Sequence, residues 1–415
     1  MPKIYDLINK LCPDGVRYVL FSDVCKYTRG ITYNKAQEVK TENSDTWKVL
    51  RANNITLSTN TLNFDNVKKV DKSVKVKESQ MLRKNDILIC AGSGSKEHIG
   101  KVAFIHENID YTFGGFMAVI RCNNTLDSRF LFHYILSSSF KIYLETTLNS
   151  TTINNLNAGV ISNFKIPVPP LEVQREIVRI LDRYSEKVTT LKHELEKELE
   201  LRKKQYEYYA SKMFLDTNAD ELPMEELAKF AYGYTDTAKD YGDTRFIRIT
   251  DINEQGYLKQ EEIKYISLSE KSKKYILQKG DIIMARTGAT YGKTLYFDED
   301  IQAVYASFLI RIIPNERLLS RYYWHFTKTP LYWEQANKFV TTGGQPQFNT
   351  PSLKQIKIPV PPIEEQKHIV NILDKFDTLC NDLTNGIPAE ISARKKQYEY
   401  YRDKLLTFKI KNTEV

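Results

Sequence analysis

Apolar positions recur every three to four residues in two long stretches of the chain. The first runs through Ile177, Leu181, Tyr184, Val188, Leu191 and Leu195 in alternating steps of four and three, the spacing of a coiled-coil seam. Leu199, Arg202, Tyr206, Tyr209 and Met213 continue the stripe after a stutter, of the kind that locally unwinds a supercoil. Leu171 to Met213 therefore predicts one helix of about 43 residues, roughly 60 Å long at ~1.5 Å per residue. The second stripe carries Ile369, Leu373 and Phe376, then meets the breaker "NGIP" at 385–388. A kink or short gap is expected there, with the helix resuming at Pro388. Ile387, Ile391, Tyr398, Tyr401 and Leu405 then match Leu195, Leu199, Tyr206, Tyr209 and Met213 of the first stripe.

Ahead of each helix, near 14–164 and 217–356, short apolar runs are bounded by Gly, Asn and Asp. That punctuation predicts mixed α/β or mainly β blocks. The expected organisation is a globular block over 1–164, a helical region over 165–216, a second block over 217–356 and a second helical region over 357–415. The fold class is α+β, with two blocks alternating with two long helices whose apolar seams suit a coiled coil.

An internal repeat underlies this order. "RKKQYEYY" occurs at 202–209 and, letter for letter, at 394–401. "KIPVPPLEVQREIVRILDRY" at 165–184 answers "KIPVPPIEEQKHIVNILDKF" at 357–376 with the same offset of 192 residues. In both, the Pro-rich start resists helix, while Pro170 and Pro362 suit a first helical turn with Glu172 and Glu364 near its positive end. The blocks share only a skeleton. "KNDILICAGSGSKEHIGKVAFI" parallels "KGDIIMARTGATYGKTLYF", "RANNI" at 51–55 parallels "RITDI" at 248–252, and "SRFLFHYI" at 128–135 parallels "SRYYWHFT" at 320–327. The whole reads as block–helix–block–helix with pseudo-twofold symmetry.

At 415 residues the chain is too long for one ordinary core. Its 41% hydrophobic and 27% charged residues are those of a globular protein. A net charge of +8 favours a polyanionic partner. Five scattered cysteines make no CxxC pair or Cys/His cluster, so neither a disulfide framework nor a zinc site is indicated. No run approaches the length of a membrane span and the start lacks an apolar leader. The expectation is a reduced cytoplasmic compartment and no membrane partner.

Chemistry is sparse. "GATYGKT" at 288–294 has three residues between its glycines where a phosphate loop needs four, and Gly94 and Gly100 have five between them. No nucleophile elbow, HExxH, dinucleotide fingerprint or amino-methyltransferase tetrapeptide appears. The six histidines are scattered. No active site, metal or cofactor is expected in this chain.

The basic residues are informative by place. Residues 68–84 hold seven Lys/Arg against two acids and lead into the Gly-rich loop at 92–100. Lys and Arg neutralise phosphates, and Arg, Asn, Gln and Thr on loops read base edges. "NSTTINNLN" at 149–157 and "TTGGQPQFN" at 341–349 occupy equivalent places near the ends of the blocks. The DNA-contact candidates are Arg51, Asn53, Ser93, Ser95, Lys96, Lys101, Thr151, Thr152 and Asn155 in the first block. In the second they are Arg248, Thr250, Arg286, Thr287, Tyr291, Lys293, Thr342, Gln345 and Gln347. On the octapeptide helices, Arg202, Gln205, Tyr206 and Tyr209 share the seam face. Lys203, Lys204, Glu207 and Tyr208, with Lys395, Lys396, Glu399 and Tyr400 in the second copy, point outward and form a candidate partner interface.

With these motifs the chain resembles, over essentially its whole length, the specificity subunit of type I restriction–modification systems. "IPVPPLEVQREIVRILD", "IPVPPIEEQKHIVNILDKF" and the paired octapeptide carry the resemblance. It implies two target-recognition domains at opposite ends of an antiparallel helix pair, each reading one part of a bipartite double-stranded DNA target in the major groove. It also implies two modification subunits, which bring S-adenosylmethionine and methylate adenines, and restriction subunits, which bring ATP and Mg for translocation and cleavage. Unlike blocks imply unlike half-sites, and a helix pair of fixed length would be the ruler between them, since B-DNA advances ~3.4 Å per base pair. The residues alone also allow a coiled-coil scaffold joining two protein-binding modules, or an enzyme with its site in the loops near Lys101 and Lys293.

Overall fold

The structure is a computed structural model and describes residues 2–39, 45–93, 98–149, 155–341, 344–382 and 386–411. The chain forms two compact units, one of Met1–His193 with Ser392–Val415 and one of Glu194–Ile391.

In the first unit, β1 (Cys25–Arg29), β2 (Ile87–Cys90), β3 (Val102–Phe104) and β4 (Met117–Cys122) make one sheet in the order β1–β4–β2–β3. All three pairings are antiparallel, with Cys122 opposite Cys25 and Met117 opposite Cys90. The run "ILIC" is apolar at every position because both faces of this sheet are covered. Ile87, Ile89, Ala118 and Ile120 join the core on one side, and Leu88, Cys90, Met117 and Val119 the core on the other. A smaller mixed sheet of Thr46–Leu50, Lys68–Asp71 and Thr112–Phe113 lies beyond the second core. Helix α1 (Ser128–Ile135) packs into the first core and is capped by Asp127, whose carboxylate accepts from the Arg129 and Phe130 amides.

Helix α2 (Leu171–Leu215) is unbroken for 45 residues, and its two ends belong to different units. Val173, Ile177 and Leu181 are fully buried in the core of the first unit. The start of the expected seam is thus core, shared with Leu405 and Leu406 from the C-terminal end of the chain.

The second unit repeats the plan. β5 (Ala228–Tyr232), β6 (Ile282–Ala285), β7 (Thr294–Tyr296) and β8 (Leu309–Pro314) are ordered β5–β8–β6–β7, again antiparallel throughout. Ile282, Met284, Ile310 and Ile312 face one core, and Ile283, Ala285 and Leu309 the other. Helix α3 (Ser320–Phe326) is the counterpart of α1. Helix α4 (Ile363–Asn381) runs against the C-terminal half of α2, where Tyr209 stacks on Phe376 at 6.0 Å. Helix α5 (Ile387–Leu406) starts at Ile387, one residue before the Pro388 expected from sequence. The second helical region is therefore two helices, while 383–385 of the interrupting segment lie outside the described residues.

The repeated octapeptides sort crosswise. The first copy, on α2, packs in the second unit; the second copy, on α5, packs in the first, where Tyr398 meets Tyr184 edge-on at 5.6 Å. One clamp holds each helix start to its block. The Gln174 side-chain carbonyl accepts from the Asp127 amide at 2.7 Å, and its NH₂ donates to the Thr125 and Pro169 carbonyls. Gln366 does the same for the Leu319 amide and the Arg317 and Pro361 carbonyls. About two helical turns further on, Asp182 accepts from Arg129 and His133, and Asp374 accepts from Arg321 and His325. A buried carboxamide has four hydrogen-bonding sites to satisfy, and each glutamine spends three of them joining the helix start to its block.

Candidate nucleic-acid interface

At one edge of each four-stranded sheet three segments converge: the end of the inner strand, the turn entering β4 or β8, and the polar segment before the long helix. In the first unit the Ala91 and Gly92 amides both donate to the Phe116 carbonyl, at 2.8 and 3.0 Å. Gly92 bridges to Asn155, and Arg29 clasps the assembly by donating to the Gly115 carbonyl at 2.6 Å and to Asn155 Oδ1 at 3.0 Å. In the second unit the Arg286 amide donates to the Phe308 carbonyl at 3.1 Å, and Thr287 bridges to Gln347, whose amide NH₂ donates to the Thr287 hydroxyl at 2.9 Å. Arg286 clasps this lip through the Ser307 carbonyl and Asn349 Oδ1, each at 3.0 Å.

The two clasps are not equivalent in sequence. Arg29 ends β1, whereas Arg286 follows β6, and Tyr232 ends the strand that matches β1. The Arg286 guanidinium lies between the Tyr232 and Phe308 rings, 5.3 and 5.6 Å from their centres. Each unit thus builds the same lip from different residues, and the side chains on the lip differ.

Of the candidates read from sequence, Asn155, Arg286, Thr287 and Gln347 meet in these lips, Ser93 directly follows Gly92 of the first, and Gln345 is exposed beside the second. Ser95, Lys96, Thr151, Thr152 and Thr342 lie outside the described residues. A second group gathers at the "RANNI" and "RITDI" turns. Arg51 donates to the Asn66 carbonyl, Asn53 is exposed, and Lys101 reaches the Ala52 carbonyl at 3.5 Å. Arg248 is engaged with the buried Asp251 at 2.7 Å, Lys293 pairs with Glu254 at 2.6 Å, and Thr250 is exposed. Tyr291 turns inward, donating to Asn337 Oδ1 and meeting Trp333 edge-on. Arg29, Phe116, Tyr232 and Phe308 were not among the candidates. The recoverable signal was a phenylalanine in both "GGFM" at 114–117 and "ASFL" at 306–309, again 192 residues apart.

The second unit also holds a cavity of about 600 Å³ lined in part by Tyr206, Thr290, Lys293, Lys328, Trp333 and Asp377. Lys328 donates to Asp377 at 2.7 Å and lies 3.2 Å from the Trp324 ring centre. Burial pushes Lys328 well below its usual pKa and raises Asp377 to about 7. Leu136 and Ser185 stand at these places in the first repeat, so the pair is not shared machinery. No group of three or more His, Cys, Asp or Glu side chains that could hold a metal ion occurs among the described residues. On the octapeptide helices Lys203, Lys204, Glu207 and Tyr208 are exposed, as are Lys395, Lys396 and Tyr400, while Glu399 is half-buried. Lys204, Glu207 and Tyr208 line a groove with Lys212 and Pro330.

Two stretches, residues 13–201 and 221–393, match the type I restriction modification DNA specificity domain, and the chain belongs to that family. It is 34% identical over 334 residues to a putative type I restriction enzyme specificity subunit of Haemophilus influenzae, covering 74% of this chain and 81% of the relative. The EcoKI specificity subunit of Escherichia coli K12 is 26% identical, with 90% of this chain and 86% of the relative covered. Among solved structures, a chain from work on complex assembly and conformational transition of the type I R-M system superposes with a TM-score of 0.68. That match covers 94% of this chain and 97% of the other at 18% identity, a likeness of fold. The α+β fold with two blocks and paired long helices agrees with the reading from sequence, and the scaffold alternative is not favoured. No helix among the described residues is long and apolar enough to cross a membrane.

Proposed function

We propose that this chain is the non-catalytic DNA-reading subunit of a type I restriction–modification complex, acting in the cytoplasm. Each unit reads one half of an asymmetric bipartite target, and the helices set the spacing between halves. The observation that carries this reading is the lip built twice on one backbone plan from unlike side chains. A shared backbone gives both units one docking geometry, while unlike side chains give unlike base preferences.

Two modification subunits dock on the outward faces of the octapeptides and supply S-adenosylmethionine chemistry. Restriction subunits, where they join, supply ATP- and Mg-dependent cleavage. The test is methylation-sensitive sequencing of DNA from cells that carry this chain with its modification subunit. An asymmetric two-part motif with adenine methylation, lost when this chain is deleted, is the expected result. Methylation that persists without the chain overturns the proposal.

A further inference from the structure

Phe116 and Phe308 are the least expected side chains on the two lips. Phe116 is 72% exposed and Phe308 53%, although the residues that follow them, Met117 and Leu309, are fully buried. Single exposed apolar residues are common on protein surfaces and need no explanation by themselves. These two are not independent accidents. They lie 192 residues apart in blocks that otherwise share only a skeleton. Both sit at the third position of the same four-residue turn, closed by Met117 N–H to the Gly114 carbonyl at 2.8 Å and by Leu309 N–H to the Ala306 carbonyl at 2.9 Å.

The turn is held firmly. The carbonyl of each phenylalanine accepts from the residue that opens the Gly-rich loop, and an arginine grips the carbonyl one position earlier. The ring is therefore presented outward on a braced backbone, with a guanidinium at its base and Asn155 or Gln347 alongside. A rigid apolar ring loses little conformational entropy on binding. Set among cations and carboxamides, it suits a partner that is anionic outside and aromatic or methyl-bearing within.

We propose that Phe116 and Phe308 are base-contacting residues, each packing its ring on a base of the half-site read by its own unit. This rests on the DNA-reading function proposed above. The flanking arginine is tied to backbone and carboxamide oxygens, so it positions the ring and contributes its charge locally. The shared chemistry is apolar contact with a base, either the face of an unstacked base or the 5-methyl group of thymine.

The test uses the complex assembled with its modification subunits and a duplex carrying the methylated motif. Phe116→Ala should weaken binding of that duplex roughly ten-fold while leaving binding of unrelated duplex within about two-fold, and it should strip footprint protection from one half-site only. Phe308→Ala should do the same at the other half-site. Deoxyuridine in place of thymine at one position should abolish the effect of the variant if the ring meets a methyl group, and 2-aminopurine fluorescence should rise on binding if it meets an unstacked base. Variants that bind the motif within two-fold of the unchanged chain overturn the proposal. So does loss of modification subunits from the variant complex, seen by native mass, with DNA binding intact. If the unchanged complex shows no preference for the motif, the DNA-reading function itself fails, which is a separate result.

Discussion

Tyr206, in the first octapeptide, donates its hydroxyl hydrogen to Nδ1 of His325, 2.8 Å away, while Nε2–H of the same ring donates to Asp374 at 2.8 Å. A neutral imidazole has one donor and one acceptor nitrogen, so the two partners fix its tautomer. The first unit has the same histidine and carboxylate, but His133 Nδ1 is buried without a hydrogen-bonding partner, so Tyr398, the counterpart of Tyr206, does not serve it. Ser185 stands where the second repeat has Asp377.

Tyr206→Phe should accordingly destabilise the second unit by about 1–3 kcal/mol, the cost of leaving a buried acceptor unpaired. Tyr398→Phe should cost the first unit less than half as much, because His133 is already unpaired. Denaturant unfolding checks this. In a Trp47→Phe background the remaining tryptophans, Trp324 and Trp333, report on the second unit alone, and comparison with the chain that keeps Trp47 isolates the transition of the first unit.

The buried Lys328–Asp377 pair supports a second expectation. Removing one member of a buried pair strands the other charge, whereas replacing both with groups that pack is close to neutral. Asp377→Ser alone should cost the second unit about 3 kcal/mol or more. The double change Lys328→Leu with Asp377→Ser copies Leu136 and Ser185 of the first repeat and should restore most of that loss. The same tryptophan-monitored unfolding decides it, and a double variant as unstable as the single one contradicts it.

Acid should act on this unit through two groups with opposite signs. Burial holds His325 down to about 4, against the pull of Asp374 and with Lys328 and Arg321 adding to the push. Its contribution is complete above ~6.5 and is lost as pH falls from there to 4, on the order of 3 kcal/mol in all. Asp377, raised to about 7 by burial, takes up a proton in the folded state first. Its effect runs the other way, making the fold more stable as pH falls from 7 towards ~4. The unchanged protein should therefore show a shallow pH dependence between 7 and 4. The Leu/Ser double variant, with the opposing Asp377 removed, should lose stability more steeply over the same range.

Much of this was legible in the sequence for a physical reason. Helix stripes and an exact repeat are local patterns, and they located the long helices and paired the blocks. What a sequence does not encode locally was hidden. That the octapeptide on α2 serves the second unit and the one on α5 the first depends on tertiary pairing. Arg248 looked like a free cation, but its charge is spent on Asp251 three residues on. Arg29 and Arg286 share a task from non-matching positions, so alignment of the repeats could not pair them.

Gly30 and Gly233 are where the lip is most exposed to a single change. Each follows an edge strand, and its amide donates to the residue after the exposed phenylalanine, Met117 at 3.0 Å and Leu309 at 3.1 Å. A Cβ at Gly233 would come within 2.2 Å of the Ala306 carbonyl oxygen, and one at Gly30 within 2.2 Å of that of Phe113. Backbone carbonyls in a sheet edge cannot swing away as a side-chain tip can, so the turn itself must shift. Small displacements of a contact surface cost binding steeply when the contacts are short-ranged. Gly233→Ala should therefore weaken protection of the second half-site at least as much as Phe308→Ala does, with the first half-site unaffected, and Gly30→Ala should show the reverse. Footprinting of the assembled complex on the methylated motif reads both. Equal loss at both half-sites would mean that the two lips do not act separately.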